Sequence, residues 1–243
     1  MKITVFSGSH KGREGNTLLM VTEFLKGAGE AGAETELIIL AEKKIGYCKG
    51  LFECWLKTPG RCSIRDDMDE LLPLFLASDV VVFACPVYFD NVPALMKTFV
   101  DRLTPLLYPH FEEVEKGEYG HVKRFDKVPD LAVISNCGLP GQSNFQVQSL
   151  FFRRLARSLH TEVIAEVYRD EGEIFRGKDN MLLKPLLSKY RKLLRSAGRE
   201  LVERQVISEK LREALEKPIV PPSIYIKFGN EEWDRLIKEN KLA

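Results

Sequence analysis

Mostly apolar runs alternate along the chain with stretches whose apolar residues have helical spacing. The runs cover residues 3–6, 36–40, 80–84, 131–135 and 163–167. Short, nearly continuous apolar runs are typical of strands buried on both faces, as in a parallel sheet covered by helices. The pattern therefore predicts a doubly wound α/β fold, in which ligands bind beyond the carboxyl ends of the strands.

The stretches between the runs also carry start and stop signals for helices. A first helix is predicted from Thr17, and glycines from Gly27 onward are expected to weaken and end it. A capping box is predicted at Asp67, although Pro73 inside that pattern indicates a kink or a later start. Ser143 is expected to cap a further helix.

Two regions fall outside the five-strand plan. Residues 105–129 form a polar and aromatic insertion between a helix and the fourth strand. The end of the chain is helical again, and prolines separate a last short helix around Trp233. We therefore expect an α/β domain over residues 1–175 and a helical C-terminal extension over residues 176–243.

Composition and charge narrow the classes of function. The chain has 243 residues and a formal net charge of +1, so no charge excess points to nucleic acid or a membrane surface. No stretch approaches the roughly 20 apolar residues of a membrane span. The five cysteines are an odd number, which favours a reducing compartment and a cytoplasmic location.

The loop after the first strand has the chemistry of a phosphate site. Ser9 and Thr17 supply hydroxyl groups, Lys11 and Arg13 supply positive charge, and a helix N-terminus follows. The loop is neither a Walker A sequence nor a dinucleotide-binding glycine motif. A glycine-rich turn with a helix cap is the alternative, because such turns are common.

Three short motifs together resemble a known family. They are Gly-Ser-His-Lys at 8–11, Gly-Asn-Thr at 15–17 and Cys-Pro-Val-Tyr-Phe-Asp-Asn at 85–91. The first two follow the first strand, and the third follows the 80–84 strand directly. They are similar to the phosphate and ring loops of the NADPH-dependent FMN reductase and iron–sulfur flavoprotein group. The likeness covers roughly residues 1–170, and His10 stands where proline is frequent in the family.

The resemblance implies a flavodoxin-like fold, with a five-stranded parallel sheet of order 2-1-3-4-5, that binds FMN without a covalent link. It assigns the cofactor to two loops, through Ser9, Lys11, Gly15, Asn16, Thr17, Pro86, Val87, Tyr88, Phe89 and Asn91. The first five would hold the phosphate and the others the ring and ribityl chain. Position after the fourth strand adds Asn136, Cys137 and Gly138. For Tyr88 and Phe89, ordinary packing over the sheet edge is the alternative.

The implied function is an FMN-dependent NAD(P)H oxidoreductase. Electrons from NADPH or NADH would pass through FMN to a quinone, a flavin or a similar small-molecule acceptor, with no catalytic acid or nucleophile required. The alternative is an FMN electron carrier that a protein partner reduces, and a flavodoxin-like scaffold without cofactor is a third reading. By the same resemblance, we expect a homodimer or homotetramer.

Iron–sulfur flavoproteins carry four closely spaced cysteines, and this chain resembles that motif only in part. Cys48, Cys54 and Cys62 are in register with three of the four positions, and Leu51 occupies the remaining one. A [4Fe–4S] cluster normally takes four thiolate ligands, and leucine cannot bind iron. We therefore expect no bound metal here. An outside fourth ligand, or zinc on three thiolates, stays open as an alternative.

Overall fold

A computed structural model describes residues 1–177 and 180–240 of the chain. At its centre lies a five-stranded sheet whose pairings are all parallel. Its strands are β1 (Lys2–Ser7), β2 (Glu34–Ile39), β3 (Val80–Pro86), β6 (Asp130–Asn136) and β7 (Val163–Arg169). Their spatial order, β2-β1-β3-β6-β7, is the predicted 2-1-3-4-5 arrangement. The predicted fold class is therefore confirmed.

The structure has eight α-helices in the described ranges. They are α1 (Asn16–Glu30), α2 (Glu53–Leu56), α3 (Met68–Leu76), α4 (Ala94–Asp101), α5 (Gln146–Ser158), α6 (Leu183–Arg204), α7 (Glu209–Glu216) and α8 (Pro222–Asn240). The helices α2 and α8 bury no residue, and the other six cover both faces of the sheet. One core joins the sheet to α1, α6 and α7, and the other joins it to α3, α4 and α5. Residues 80–85 of β3 are buried throughout, because side chains on both faces of the strand meet a core. This explains the continuous apolar runs.

The helices α1 and α6 cross at two glycines. A Cβ atom on Gly27 would lie 1.9 Å from the carbonyl oxygen of Arg195, and one on Gly198 would lie 2.0 Å from that of Phe24. Only glycine permits such a close approach of two helix backbones. The helix α1 ends at Glu30, within the predicted glycine-rich stretch and just before Gly32, whose φ is 91°. Gly27 lies inside the helix and also serves as a packing surface.

Two predicted helix caps differ in part or in full from the structure. Asp67 occupies the N-cap position of α3 as predicted, but its carboxylate accepts the Lys44 N–H at 2.8 Å, and the neighbouring Asp66 carboxylate accepts the Met68 N–H at 3.1 Å. Pro73 lies inside α3, which starts at Met68. Phe145, rather than Ser143, occupies the N-cap of α5, because a 3₁₀ turn over Gln142–Phe145 precedes that helix.

The 105–129 insertion contains an antiparallel hairpin, β4 (Leu107–Glu115) and β5 (Glu118–Lys123). Neither strand has a fully buried residue, so the hairpin lacks the one-sided apolar alternation by which a strand is recognised. The division into 1–175 and 176–243 stays a prediction. No helix in the described ranges is both long and apolar enough to cross a membrane.

Candidate functional site

The loops that follow β1, β3 and β6 lie side by side at the carboxyl edge of the sheet. The Gly8 N–H donates to the Ala84 carbonyl at 2.7 Å, and the Val87 N–H donates to the Asn136 carbonyl at 2.9 Å. The start of each of these two loops is therefore hydrogen-bonded to the neighbouring strand. The structure brings all three predicted cofactor-binding segments to one edge, where parallel sheets bind ligands.

The first loop, residues 8–17, is compact and polar inside. Ser9 and Thr17 are 3% and 1% exposed, and α1 begins within the loop at Asn16. A Cβ atom on Gly15 would lie 2.7 Å from Ser9 Oγ, so the glycine leaves room for the serine hydroxyl. Hydroxyl groups beside the free N–H groups of a helix start form a donor set that fits a phosphate group.

The two cations of the first loop differ in their surroundings. Arg13 makes two hydrogen bonds to the Glu42 carboxylate, at 2.7 and 3.0 Å, and these bonds raise the arginine pKa. Lys11 is exposed and has no ion pair within the described residues. Lys11 is therefore the side chain of this loop that is available to an anion.

The hydroxyl of Thr17 is already hydrogen-bonded to a residue of the third loop. Thr17 Oγ1 donates to Asn136 Oδ1 at 2.5 Å, and both side chains are buried. A hydroxyl has one proton to donate, so Thr17 would reach a phosphate through its N–H group. The bond joins the first loop to the end of β6.

The second loop ends in a tight turn. Tyr88 and Asn91 exchange N–H···O bonds of 2.9 and 3.1 Å, and Phe89 and Asp90 between them have φ of 47° and 60°. Positive φ at both central positions is typical of a type I′ turn. Phe89 is fully exposed, which contradicts its packing over the sheet edge, and Tyr88 stacks beside the His10 ring with centroids 6.1 Å apart. The loop offers Tyr88 and Phe89 as aromatic surface beside the first loop.

The third loop, residues 136–141, is held by parts of the chain that the sequence analysis did not connect with it. The Gly172 N–H donates to the Cys137 carbonyl at 2.7 Å, and the Tyr225 hydroxyl donates to the Gly138 carbonyl at 2.7 Å. The Leu139 N–H donates to Cys137 Sγ at 3.4 Å, and burial raises the pKa of that thiol. The raised pKa favours a neutral thiol that serves as a hydrogen-bond acceptor.

The supporting residues were missed because they are distant in sequence. The charged residues at 169–171 directly follow the fifth predicted strand, at the edge where ligands bind, and this was the signal that could have revealed them. Tyr225 belongs to a C-terminal segment whose aromatic residues could cover the flavin or pack against a partner subunit, but no motif identified it as a contact of the third loop.

The cysteine segment, residues 48–62, makes no hydrogen bond to these three loops in the described chain. Cys54 is on α2, and burial, followed by the nearby Cys62 and Cys48, raises its pKa. Among residues 1–177 and 180–240, no group of three or more cysteine, histidine or acidic side chains is arranged to hold a metal ion. Leu51 is more than half exposed. Three thiols and a leucine do not fit a four-thiolate cluster.

A separate cleft of about 660 Å³ lies on the outer side of the first loop. It is bounded by α1, α6 and the 3₁₀ turn at Gly172–Gly177, with Asn16 and Arg191 among its lining residues. It does not lie over the strand ends. Because the hydrogen-bonded loops meet at those ends, the loops rather than this cleft define the candidate site.

The comparisons with known proteins agree with this geometry. Residues 1–120 match the model of the NADPH-dependent FMN reductase family. The matched stretch contains the first two loops and the cysteine segment, and it ends before the third loop. The family resemblance is thus confirmed for this part of the chain.

An iron–sulfur flavoprotein of Archaeoglobus fulgidus is 44% identical over 120 residues, which is 49% of this chain and 52% of that protein. The chain spans about half the length of the curated relatives it matches.

Solved structures share the fold at low identity. An FMN-dependent NADH-azoreductase from Bacillus anthracis, solved with FMN, gives a TM-score of 0.60 at 15% identity and covers 83% of this chain and 100% of its own. An NAD(P)H:quinone oxidoreductase from Methanothermobacter marburgensis gives a TM-score of 0.58 at 16% identity. The matched region covers 83% of this chain and 96% of that protein. At these identities the likeness speaks for the fold alone.

Proposed function

We propose that this chain is an FMN-dependent NAD(P)H oxidoreductase that reduces a quinone, a flavin or a similar small acceptor. The observation that carries the proposal is the meeting of three polar loops at the carboxyl edge of the sheet, with the first loop built for a phosphate. The family match over residues 1–120 supports FMN as the ligand. The donor, NADPH or NADH, is proposed from the family description.

In this proposal the protein binds and orients the cofactor. Ser9, Lys11 and the N–H groups of Asn16 and Thr17 would hold the phosphate. The 86–91 and 136–138 segments would border the ring and the ribityl chain. Bound FMN would supply the redox chemistry, taking electrons from a reduced nicotinamide and passing them to the acceptor. No side chain is assigned as an acid or a nucleophile.

The deciding experiment is an anaerobic absorbance measurement on the FMN-loaded protein. If the proposal is correct, adding NADPH or NADH bleaches the flavin band within seconds, and a quinone restores it. A protein that binds FMN and keeps its absorbance with both nucleotides would contradict the reductase. Failure to bind FMN at all would contradict the whole proposal and favour a scaffold without cofactor.

An FMN electron carrier is the second candidate, and one observation favours it. A relative at 44% identity is named an iron–sulfur flavoprotein and not a nicotinamide-dependent enzyme. In a carrier the flavin would be reduced by a protein partner, so nicotinamides would leave the absorbance unchanged while dithionite would bleach it.

We further propose that FMN is the redox centre of this chain and that the cysteine segment holds no cluster. An iron and acid-labile sulfide assay on anaerobically purified protein tests this, with Leu51→Cys as the matched variant. We expect substoichiometric iron in the wild type and about four irons per chain in Leu51→Cys if the added thiol completes the ligand set. A stoichiometric cluster in the wild type would refute the proposal.

A homodimer or homotetramer in the cytoplasm also stays a prediction. Sedimentation analysis of the FMN-loaded protein tests it, and a monomer would contradict it.

A further inference from the structure

The last residue of β7 and the turn that follows it carry three charged residues that are almost completely buried. Arg169 and Glu171 are 0% exposed, and Asp170 is 3% exposed. Buried charges of this kind are rare and need polar partners. Their partners come from the third loop and from residues 215–225, which we call the C-terminal strap.

Arg169 binds the start of the C-terminal strap. Its Nη1 donates to the carbonyl oxygens of Leu215 and Lys217 at 3.0 and 2.9 Å, and its guanidinium also pairs with the Asp170 carboxylate. These carbonyls belong to the end of α7, where helix carbonyls have no partner within the helix. A cation there is also favoured by the helix dipole. Arg169 therefore fixes the strap to the end of β7.

The same turn supports the third loop. Asp170 Oδ2 accepts the Gly141 N–H at 2.7 Å, and the Gly172 N–H donates to the Cys137 carbonyl at 2.7 Å. A Cβ atom on Gly172 would lie 2.6 Å from Asn136 Nδ2, so the contact requires glycine. The third loop thus rests on the turn that Arg169 anchors.

The C-terminal strap then contacts the third loop directly. The hydroxyl of Tyr225 donates to the Gly138 carbonyl at 2.7 Å. Before it, the Ile219 N–H donates to Glu171 Oε2 at 3.2 Å. Burial, with smaller contributions from the charges of Glu173 and Glu171, raises the pKa of Tyr225 to about 12, although a hydrogen bond to the Glu173 backbone opposes this rise. The phenol therefore stays protonated and able to donate.

These bonds set the direction of one backbone donor. The peptide between Cys137 and Gly138 is trans, and its carbonyl points to Gly172. In a planar trans peptide the N–H points the opposite way, so the Gly138 N–H is directed away from the turn. The next carbonyl is fixed by Tyr225, which leaves little freedom for the loop to rotate.

We propose that the C-terminal strap is a structural part of the FMN site, and that Arg169 and Tyr225 are positioning residues for the third loop. The inference rests on the proposed FMN function and adds that the ring side of the site depends on the C-terminal segment. The strap makes no direct hydrogen bond to residues 8–17 in the described chain, so it is linked to the phosphate side only indirectly, through the bond between Thr17 and Asn136.

The test compares the dissociation constants of FMN and riboflavin, measured by quenching of flavin fluorescence. Riboflavin lacks the phosphate and therefore reports the ring side alone. In Tyr225→Phe we expect both constants to rise by the same factor, about fivefold, as for the loss of one hydrogen bond. The visible spectrum of the bound flavin should also change, a signature that a general loss of stability does not produce. Tyr119→Phe, an exposed hairpin tyrosine, is the control and should match the wild type.

Arg169→Lys is the second variant, because lysine keeps the charge but not the forked donors. Both constants should rise by about tenfold or more. Circular dichroism shows whether Arg169→Lys is folded. If this variant does not fold, the result for Tyr225→Phe alone tests the strap proposal. A wild type that binds neither flavin would contradict the proposed function. A wild type that binds FMN, with Tyr225→Phe equal to Tyr119→Phe in both constants and in spectrum, would overturn the strap proposal only.

Discussion

The first and third loops of the candidate site are held in place by different means. In the first loop, the N–H groups of Gly12 and Glu14 donate to the carbonyls of Ser9 and Lys11 within the same loop. The third loop receives its bonds from the turn after β7 and from Tyr225, which is 87 residues from Gly138 along the chain. The first loop is therefore closed mainly by bonds between its own residues, apart from its bonds to Ala84 and Asn136, whereas the third loop is held mainly by distant segments.

The difference explains what each loop reveals in the sequence. A loop closed by its own backbone needs glycines and hydroxyl residues at fixed spacing, and this spacing forms a motif. A loop held from outside can have almost any sequence, since its shape depends on where other segments place their donors. The 136–141 segment was accordingly included only because of its position after a strand.

Two buried arginines each hold together segments that are distant in sequence. Arg169 joins the C-terminal strap to the end of β7, and Arg102, which directly follows α4, joins the end of that helix to residues on both sides of the cysteine segment. The Arg102 guanidinium donates to both Asp66 oxygens at 2.6 and 2.9 Å and to the Gly46 carbonyl at 2.6 Å. The next two variants test this distant kind of support, and the last two test the local kind.

The largest effect is expected from Asp66→Asn, which leaves the guanidinium of Arg102 buried without its counter-charge. The free energy of unfolding should fall by about 4 kcal/mol, as for other buried pairs that lose one partner. Denaturant unfolding measures it, with Asp126→Asn, outside any ion pair in the described chain, as the control. A loss below about 1 kcal/mol, as at an exposed ion pair, would show that Arg102 does not support the fold in the way that Arg169 is proposed to do.

The same pair predicts acid sensitivity. Burial raises the pKa of Asp66, but hydrogen bonds from Arg102, Gly46 and Met68 lower it more, so the folded pKa lies below the usual value. A depressed folded pKa adds stability above the unfolded value of about 4, and this stability is lost as the pH falls through the folded value. Below pH 5, the free energy of unfolding should therefore fall more steeply with decreasing pH for the wild type than for Asp66→Asn. Denaturant unfolding at a series of pH values measures the difference.

Gly27→Ala comes next, because it pushes α6 away from α1 at the base of the C-terminal region. The new Cβ would lie 1.9 Å from a backbone oxygen that cannot move alone. We expect a loss of about 3 kcal/mol in unfolding free energy. Gly29→Ala is the matched control, since nothing lies within 4 Å of that position and alanine favours helix. Equal stability of the two variants would show that the helices do not cross as described.

The sheet and the two motif loops were predictable because their residues obey local rules. Buried parallel strands must be apolar on both faces, and β3 is buried over residues 80–85 as its sequence indicates. The hairpin of β4 and β5 was not predictable, because neither strand has a fully buried residue and so neither shows the alternation of apolar and polar residues that marks a strand. The predicted side-chain cap at Asp67 and the predicted cap at Ser143 failed because an adjacent side chain and a 3₁₀ turn took their place.

Ser9→Ala tests the local loop with a smaller effect. Loss of one hydroxyl donor to a charged phosphate should raise the FMN dissociation constant by about thirtyfold, near 2 kcal/mol. Riboflavin should bind as it does to the wild type, which is the opposite of the pattern expected for Tyr225→Phe. Ser158→Ala, at the half-buried end of α5, controls for the substitution. If Ser9→Ala weakened riboflavin equally, the first loop would not be a separate phosphate site.

The smallest effect is expected at the edge of that loop. Glu42 holds Arg13 in an ion pair whose side chains are 48% and 71% exposed, and such exposed pairs contribute about 0–1 kcal/mol. Glu42→Gln should therefore leave the unfolding free energy nearly unchanged. It also frees a cation beside the phosphate donors, so FMN should bind up to about threefold tighter at low salt, and the gain should disappear at high salt. Riboflavin, which carries no phosphate, should show no gain at either salt concentration. Weaker FMN binding in Glu42→Gln would instead mean that the ion pair shapes the loop, and that the first loop is not closed mainly by bonds between its own residues.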